Sequence, residues 1–297
     1  MGSNFYLVLA LGASALLALG LLMMKSRADE LPAATGSAVV RNVLLWLHDP
    51  VWLGGLLIQA GGYALYVISL AGAPVSLVSV VMQGGIGLFV LLAFVVLRER
   101  ARPREWAGIA ATLIGMVLLA LSLSGGEAQG PAQSQPMIVI SGLLPPLALL
   151  PYASTRLRHN GIAAAVFSGM MFGLASLYTK AMAQDSAAWG LTLRLAADPY
   201  VPGVIVTNII GLIALQNSFV AARGIIAMPL STGLSNIVPI AGGIVIFEEW
   251  LPGDPHLAAL RIVAFVVTIA GGALLASRDD EVRPKQDEAI ELALPHA

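Results

Sequence analysis

Residues 73–120 read APVSLVSVVMQGGIGLFVLLAFVVLRERARPREWAGIAATLIGMVLLA. Two apolar runs, Val75–Leu97 and Trp106–Ala120, flank the polar hinge RERARPRE. At ~1.5 Å per residue the first run rises roughly 35 Å as a helix, enough to cross a hydrocarbon core of about 30 Å. The hinge carries Arg98, Arg100, Arg102 and Arg104, and short arginine-rich loops between spans stay in the cytoplasm. A degenerate copy of the block returns at Met228–Ala276. The fold reading depends on that recurrence.

The rest of the chain has the same character. Of 297 residues, 58% are hydrophobic and 11% charged, against about 25% charged in a soluble domain. A chain of this size cannot hide that much apolar surface from water, so it belongs in a bilayer. There is no cysteine, which excludes disulfides, thiol nucleophiles and thiolate metal sites. The four histidines, His48, His159, His256 and His296, are not paired at a metal-ligand spacing. Metal ligands are therefore left unassigned.

Nine spans follow from the hydropathy pattern. Phe5–Met24 is the first, stopped by Lys25 and Arg27. It is long for the apolar core of a cleaved leader and has no basic segment before it. Residues 34–48 read as an amphipathic surface helix, with Arg41 and His48 toward water and Trp46 at the interface. Val51–Leu70, Val75–Leu97 and Trp106–Leu121 complete a first unit over residues 1–123. Residues 124–160 hold an exposed Gly/Ser/Gln/Pro linker and a spacer span, Met137–Ser154, kinked by Pro145, Pro146 and Pro151. Residues 161–277 carry Ile162–Met182, Val201–Val220, Ile225–Phe247 and Leu257–Ala276. A charged tail, 278–297, is expected on the cytoplasmic side.

With the basic hinge inside, thirteen of the sixteen Lys/Arg are cytoplasmic and only Lys180, Arg194 and Arg261 fall on or near the other side. The N-terminus is then outside, in an inner or plasma membrane. Registering the two units on Pro74 and Pro229 also aligns Ser76 with Ser231 and Lys25 with Lys180. With small gaps, Leu97–Arg100 meets Phe247–Trp250, and Ile114-Gly115 meets Ala270-Gly271. An odd number of spans separates each helix from its partner, so the copies point in opposite directions. The charges agree, because the counterpart of the arginine hinge, EEWLPGDP at 248–255, is acidic. The expected fold is an all-α polytopic membrane protein of about nine transmembrane helices, two inverted four-helix repeats joined by one spacer helix.

A span ending in LRER followed by PREWAGIAATLIGMVLLA resembles the drug/metabolite transporter (DMT) superfamily, EamA-like group. Members usually have ten helices as two inverted fives. This chain departs in lacking a clear helix between its first two spans. That layout, with HDPVWLGGLLIQAGGYALY after a long link, is similar to the NIPA-type magnesium transporter branch. The resemblance implies a transporter fold.

Inverted-repeat carriers bind their solute near the midplane between the halves. Gln59, Gln83, Asn208 and Asn236 fall at that depth, two from each unit, and a carboxamide in lipid needs a partner. Tyr63 extends the Gln59 stripe, Ser79 that of Gln83, and Thr232 and Ser235 that of Asn236. Ser14 and Ser168 add hydroxyls at mid-depth, and Gln216 and Asn217 fall nearer the cytoplasmic end as candidates for an exit. Lys25 and Lys180 close their helices and are expected to snorkel. The functional expectation is a secondary transporter of a small neutral or zwitterionic metabolite. Alternatives are a divalent-cation (magnesium) transporter and, less favoured, a scaffold without transport. No catalytic constellation at depth points to an enzyme. No motif requires a cofactor or nucleic acid. The expected partners are the solute and the bilayer, and Gly-rich faces permit a homodimer.

Overall fold

The computed structural model describes residues 3–28, 30–70, 75–122, 133–154, 161–189, 198–247 and 253–276. Among the described residues it is all-α, with ten α-helices: α1 (Ser3–Arg27), α2 (Val39–His48), α3 (Pro50–Leu70), α4 (Val75–Val95), α5 (Pro103–Ser122), α6 (Ser134–Leu149), α7 (Ile162–Trp189), α8 (Tyr200–Ala221), α9 (Gly224–Ile246) and α10 (Pro255–Ala276). Among the described residues seven helices are long and apolar enough to cross a bilayer, and eight if the bent α2–α3 pair is one span. The chain is thus a polytopic integral membrane protein. Within α4 the described residues include a shorter apolar helix, Gly84–Val95. The linker at 124–132, Glu248, Glu249 and the tail 278–297 lie outside the described residues.

Local chemistry sets the helix ends. The Asp49 carboxylate accepts from the backbone N–H groups of Val51 (3.1 Å) and Trp52 (2.8 Å), and Pro50 opens α3 where a missing N–H costs nothing. Arg98, three residues beyond the end of α4, lies in the left-handed region (φ 55°), unusual for a residue with a side chain. Glu105, buried in the first turn of α5, accepts from the Arg102 backbone N–H at 2.7 Å. α6 runs through Pro145 and Pro146 before tightening to a 3-10 turn at Leu150–Ala153.

α1 packs on α3 and α4, and α4 on α5. α7 packs on α8 and α9, and α9 on α10. The tightest seam joins α5 to α10. A Cβ at Gly115 would fall 2.2 Å from Thr268 Oγ1, and one at Gly271 would fall 2.5 Å from Thr112 Oγ1. Gly108 lies against Leu275 in the same seam, so the two helices run antiparallel. With lipid on the outside, such close approach rather than hydrophobic exclusion holds helices together. The contacts fix one end of the bundle where α1, α4, α8 and α10 finish and α3, α5, α7 and α9 begin. Lys25, Arg27, Arg41, the four hinge arginines and Arg223 belong to this basic end. Arg102 and Asp254, at the starts of α5 and α10, therefore lie at opposite ends.

α2 turns 83° from α3 across the basic end. Its Val40, Leu44 and Leu47 are exposed as a stripe at i, i+4, i+7, as a surface helix requires. Trp46 differs from expectation. It is buried against Trp52, with Nε1 donating to Pro32 O at 2.9 Å, and so anchors α2 to the body.

Candidate functional site: a central cavity

A cavity of about 280 Å³ lies where α1, α3, α4, α7, α8 and α9 meet. Its polar lining is Ser14, Gln59, Thr232 and Asn236; the rest is apolar, including Leu17, Leu21, Met82, Phe172, Leu212 and Met228. Gln59 and Ser14 sit near the middles of α3 and α1, where the sequence placed them. α4 comes close to α1 through Gly85, where a Cβ would stand 2.6 Å from Ser14 Oγ. Ser14 Oγ donates to Val81 O at 3.1 Å.

The amides of the lining are only partly engaged. Gln59 Nε2 donates to the Met24 sulfur at 3.2 Å, a weak acceptor. Asn236 Nδ2 donates to Thr232 O at 3.0 Å, within its own helix. Each group keeps further hydrogen-bonding capacity in a space bounded by apolar walls. Such a site suits a small molecule with a few polar groups, and its size is at the low end of ligand pockets of about 300–1,000 Å³.

Three of the eight residues singled out from sequence meet here: Gln59, Thr232 and Asn236. Ser235 lies beside them, its Oγ donating to Thr232 O at 2.9 Å. Tyr63 is exposed, with its ring 5.9 Å from that of Tyr66, and does not line the cavity. Asn208 is also exposed, among the exposed Ile205, Val206, Ile209 and Ile210, and donates to Val204 O at 2.8 Å. It faces away from the cavity. The side chains of Ser79 and Gln83 lie outside the described residues. Ser168 is buried away from the cavity and accepts from Ser231 Oγ at 3.2 Å, an interhelical bond between α7 and α9.

No family model, curated protein or solved structure matches the chain.

Toward the basic end, charged side chains tie the helix ends together. Lys25 does not snorkel: it is 3% exposed, and its Nζ donates to Phe219 O (2.6 Å) and Ala222 O (3.1 Å), the last carbonyls of α8. The same ammonium lies 3.5 Å from Glu99 Oε1. Glu99 accepts in turn from the backbone N–H groups of Gly224 and Ile225, both at 2.9 Å, at the start of α9. A cation on a helix C-terminus and an anion on an N-terminus are each favoured by the helix dipole. Arg223 Nη2 reaches Glu105 at 2.5 Å, and its Nη1 donates to Arg100 O. Asn217, expected near an exit, instead clamps the backbone of Ala34, accepting from its N–H at 2.7 Å and donating to its carbonyl at 2.9 Å. Nothing in the local sequence links Glu99 to a helix end more than a hundred residues away. At the far end Lys180 Nζ stands 4.9 Å over the Phe247 ring.

Proposed function

We propose that the chain is a secondary transporter for a small neutral or zwitterionic solute, of the drug/metabolite transporter type. In this reading α1, α3, α4 and α5 form one unit, α7 to α10 form an inverted copy, and α6 is the spacer, giving nine spans. Three observations support the arrangement. The packing partners correspond: α1 with α3 and α4, and α4 with α5, against α7 with α8 and α9, and α9 with α10. Each helix runs opposite to its counterpart. The α5–α10 seam relates to itself, Gly115 meeting Thr268 as Gly271 meets Thr112. The gathering of Lys and Arg at one end supports a cytoplasmic basic end.

The observation that carries the function is the cavity, lined by three helices from each unit and given polar groups by both. Hydroxyls and carboxamides beside leucine, methionine and phenylalanine favour a neutral, hydrogen-bonding solute over a bare ion. Uptake of a panel of labelled neutral and zwitterionic metabolites into proteoliposomes tests this. Asn236→Leu and Gln59→Leu should each lower uptake roughly tenfold, the worth of one or two hydrogen bonds to the solute, and Asn208→Leu should leave it unchanged. Magnesium entry into dye-loaded vesicles with no uptake from the panel would replace the proposal with the divalent-cation alternative. No uptake of either kind would favour a scaffold.

A further inference from the structure

Gln216 is 1% exposed, yet neither its Nε2 nor its Oε1 has a hydrogen-bond partner. The indole N–H of Trp52, 2% exposed, is in the same condition. Buried polar groups left unmatched are rare and each requires an explanation. Both residues lie on faces that continue from the cavity toward the basic end. On α3 the cavity residue Gln59 is followed at i−3 and i−7 by Leu56 and Trp52. On α8 Leu212 and Leu215 line the cavity, and Gln216 comes next. Leu212 packs into the cluster that holds Met24, Trp52 and Leu56. On α1 Leu21 lines the cavity, with Met24 and Lys25 one turn beyond.

This strip ends at the elbow between α8 and α9. The elbow is gripped from the other unit by Lys25, Glu99, Glu105, Arg100 and Ala34 through the bonds described above. Eight hydrogen bonds join residues 3–122 to the end of α8, the elbow and the start of α9 here. We propose that the strip between α1, α3 and α8 is the closed exit of the cavity, that Gln216 and Trp52 line it, and that the Lys25–Glu99 clasp on the elbow keeps it shut. The inference rests on the transporter reading for what passes through. When the elbow moves away, water or solute supplies the partners that Gln216 and Trp52 lack.

A chain without cysteine accepts single thiol probes with no background. Gln216→Cys in purified, lipid-reconstituted protein should react slowly with a charged methanethiosulfonate, because no water path reaches it. Adding Glu99→Gln should raise the rate about tenfold or more, the size of shift expected when a contact closing one state is removed. Ser168→Cys, buried between α7 and α9, should stay slow in both backgrounds. An unchanged rate at position 216, or an equal rise at position 168, overturns the proposal. If Glu99→Gln does not fold, Arg223→Gln loosens the same elbow from its partly exposed side and decides the matter by the same two rates. The labelling needs no solute. A rate change without transport would overturn the transporter reading alone, and transport without a rate change would overturn the exit alone.

Discussion

Gly115→Ala is the sharpest test of how the two groups of helices meet. The added Cβ would stand 2.2 Å from Thr268 Oγ1, 2.8 Å from Thr268 N and 3.0 Å from Ala264 O. Rotating the Thr268 side chain relieves only the first contact, and it breaks the 2.8 Å bond from its hydroxyl to Ala264 O. The two backbone contacts remain, so α10 must slide or lift along the seam. Overpacking of this kind costs about 1–3 kcal/mol, and the lost bond adds about 0.6 kcal/mol. The sum, about 1.6–3.6 kcal/mol, corresponds to a fall in denaturation midpoint of roughly 3–14 °C, taking about 2–4 °C per kcal/mol.

Thermal denaturation in detergent, followed by tryptophan fluorescence, reads this directly. Three matched controls carry the logic. Gly61→Ala, Gly84→Ala and Gly142→Ala add a methyl where nothing lies within 4 Å, and should be neutral or stabilising by up to about 1 kcal/mol through helix propensity. Thr268→Ala in the Gly115→Ala background should restore part of the loss, because one of three clashes disappears. If Gly115→Ala is as stable as the three controls, the α5–α10 seam is not packed at this distance and the correspondence built on it fails.

Two further outcomes follow from the basic end. Asn217→Ala removes both bonds to Ala34 and should lower stability by about 1–3 kcal/mol while exposing residues 30–38 to limited proteolysis; unchanged cleavage would show that the clamp does not hold that segment. Burial pushes the Asp49 carboxyl upward, but the backbone N–H groups of Trp52 and Val51 and the Arg27 guanidinium outweigh it and hold it below its ordinary value. A depressed carboxylate contributes stability that is complete above about pH 4 and is lost as pH falls through its lower folded value. Wild type should therefore lose stability relative to Asp49→Asn across that acid window, and parallel pH profiles for the two proteins would refute the assignment.

Much of this fold was legible because the bilayer fixes helix length. The arginine hinge and the prolines near helix starts marked where helices begin and end. Gln59 and Asn236, both singled out from the sequence, line the cavity. What sequence could not give was the direction in which a residue faces. In lipid both faces of a helix are apolar, so the amphipathic signal that orients a soluble helix is missing. Asn208 illustrates this: isoleucine and valine surround it, and it faces away from the cavity. A finer signal existed on α8. Thr207, Gly211, Ala214 and Ser218 form a small-residue stripe and all are buried, and Asn208 sits off that stripe. Lys25 and Trp46 were misjudged for a related reason. A cation or an indole at a span end usually meets the interface, and only the tertiary partners, the α8 carbonyls, Glu99 and Trp52, draw these two inside.

The joints between the two groups of helices differ in kind, and the difference has a mechanical consequence. Along α5–α10 the contact is glycine against threonine and backbone, dispersion that water cannot replace if the helices part. Arg261, 4% exposed, adds bonds from Nε to Ser122 Oγ (3.2 Å) and from Nη2 to Ser122 O (3.1 Å) at the far end of that seam. The elbow at the basic end is held by ions and hydrogen bonds, which water can exchange one for one at little net free energy. On the transporter reading, relative motion of the units therefore pivots on α5–α10 and opens at the elbow. A disulfide between cysteines placed across the α5–α10 seam should then leave transport intact, whereas one joining the 98–100 loop to the elbow should stop it. Arrest by the first and tolerance of the second would put the pivot at the elbow and reverse the argument.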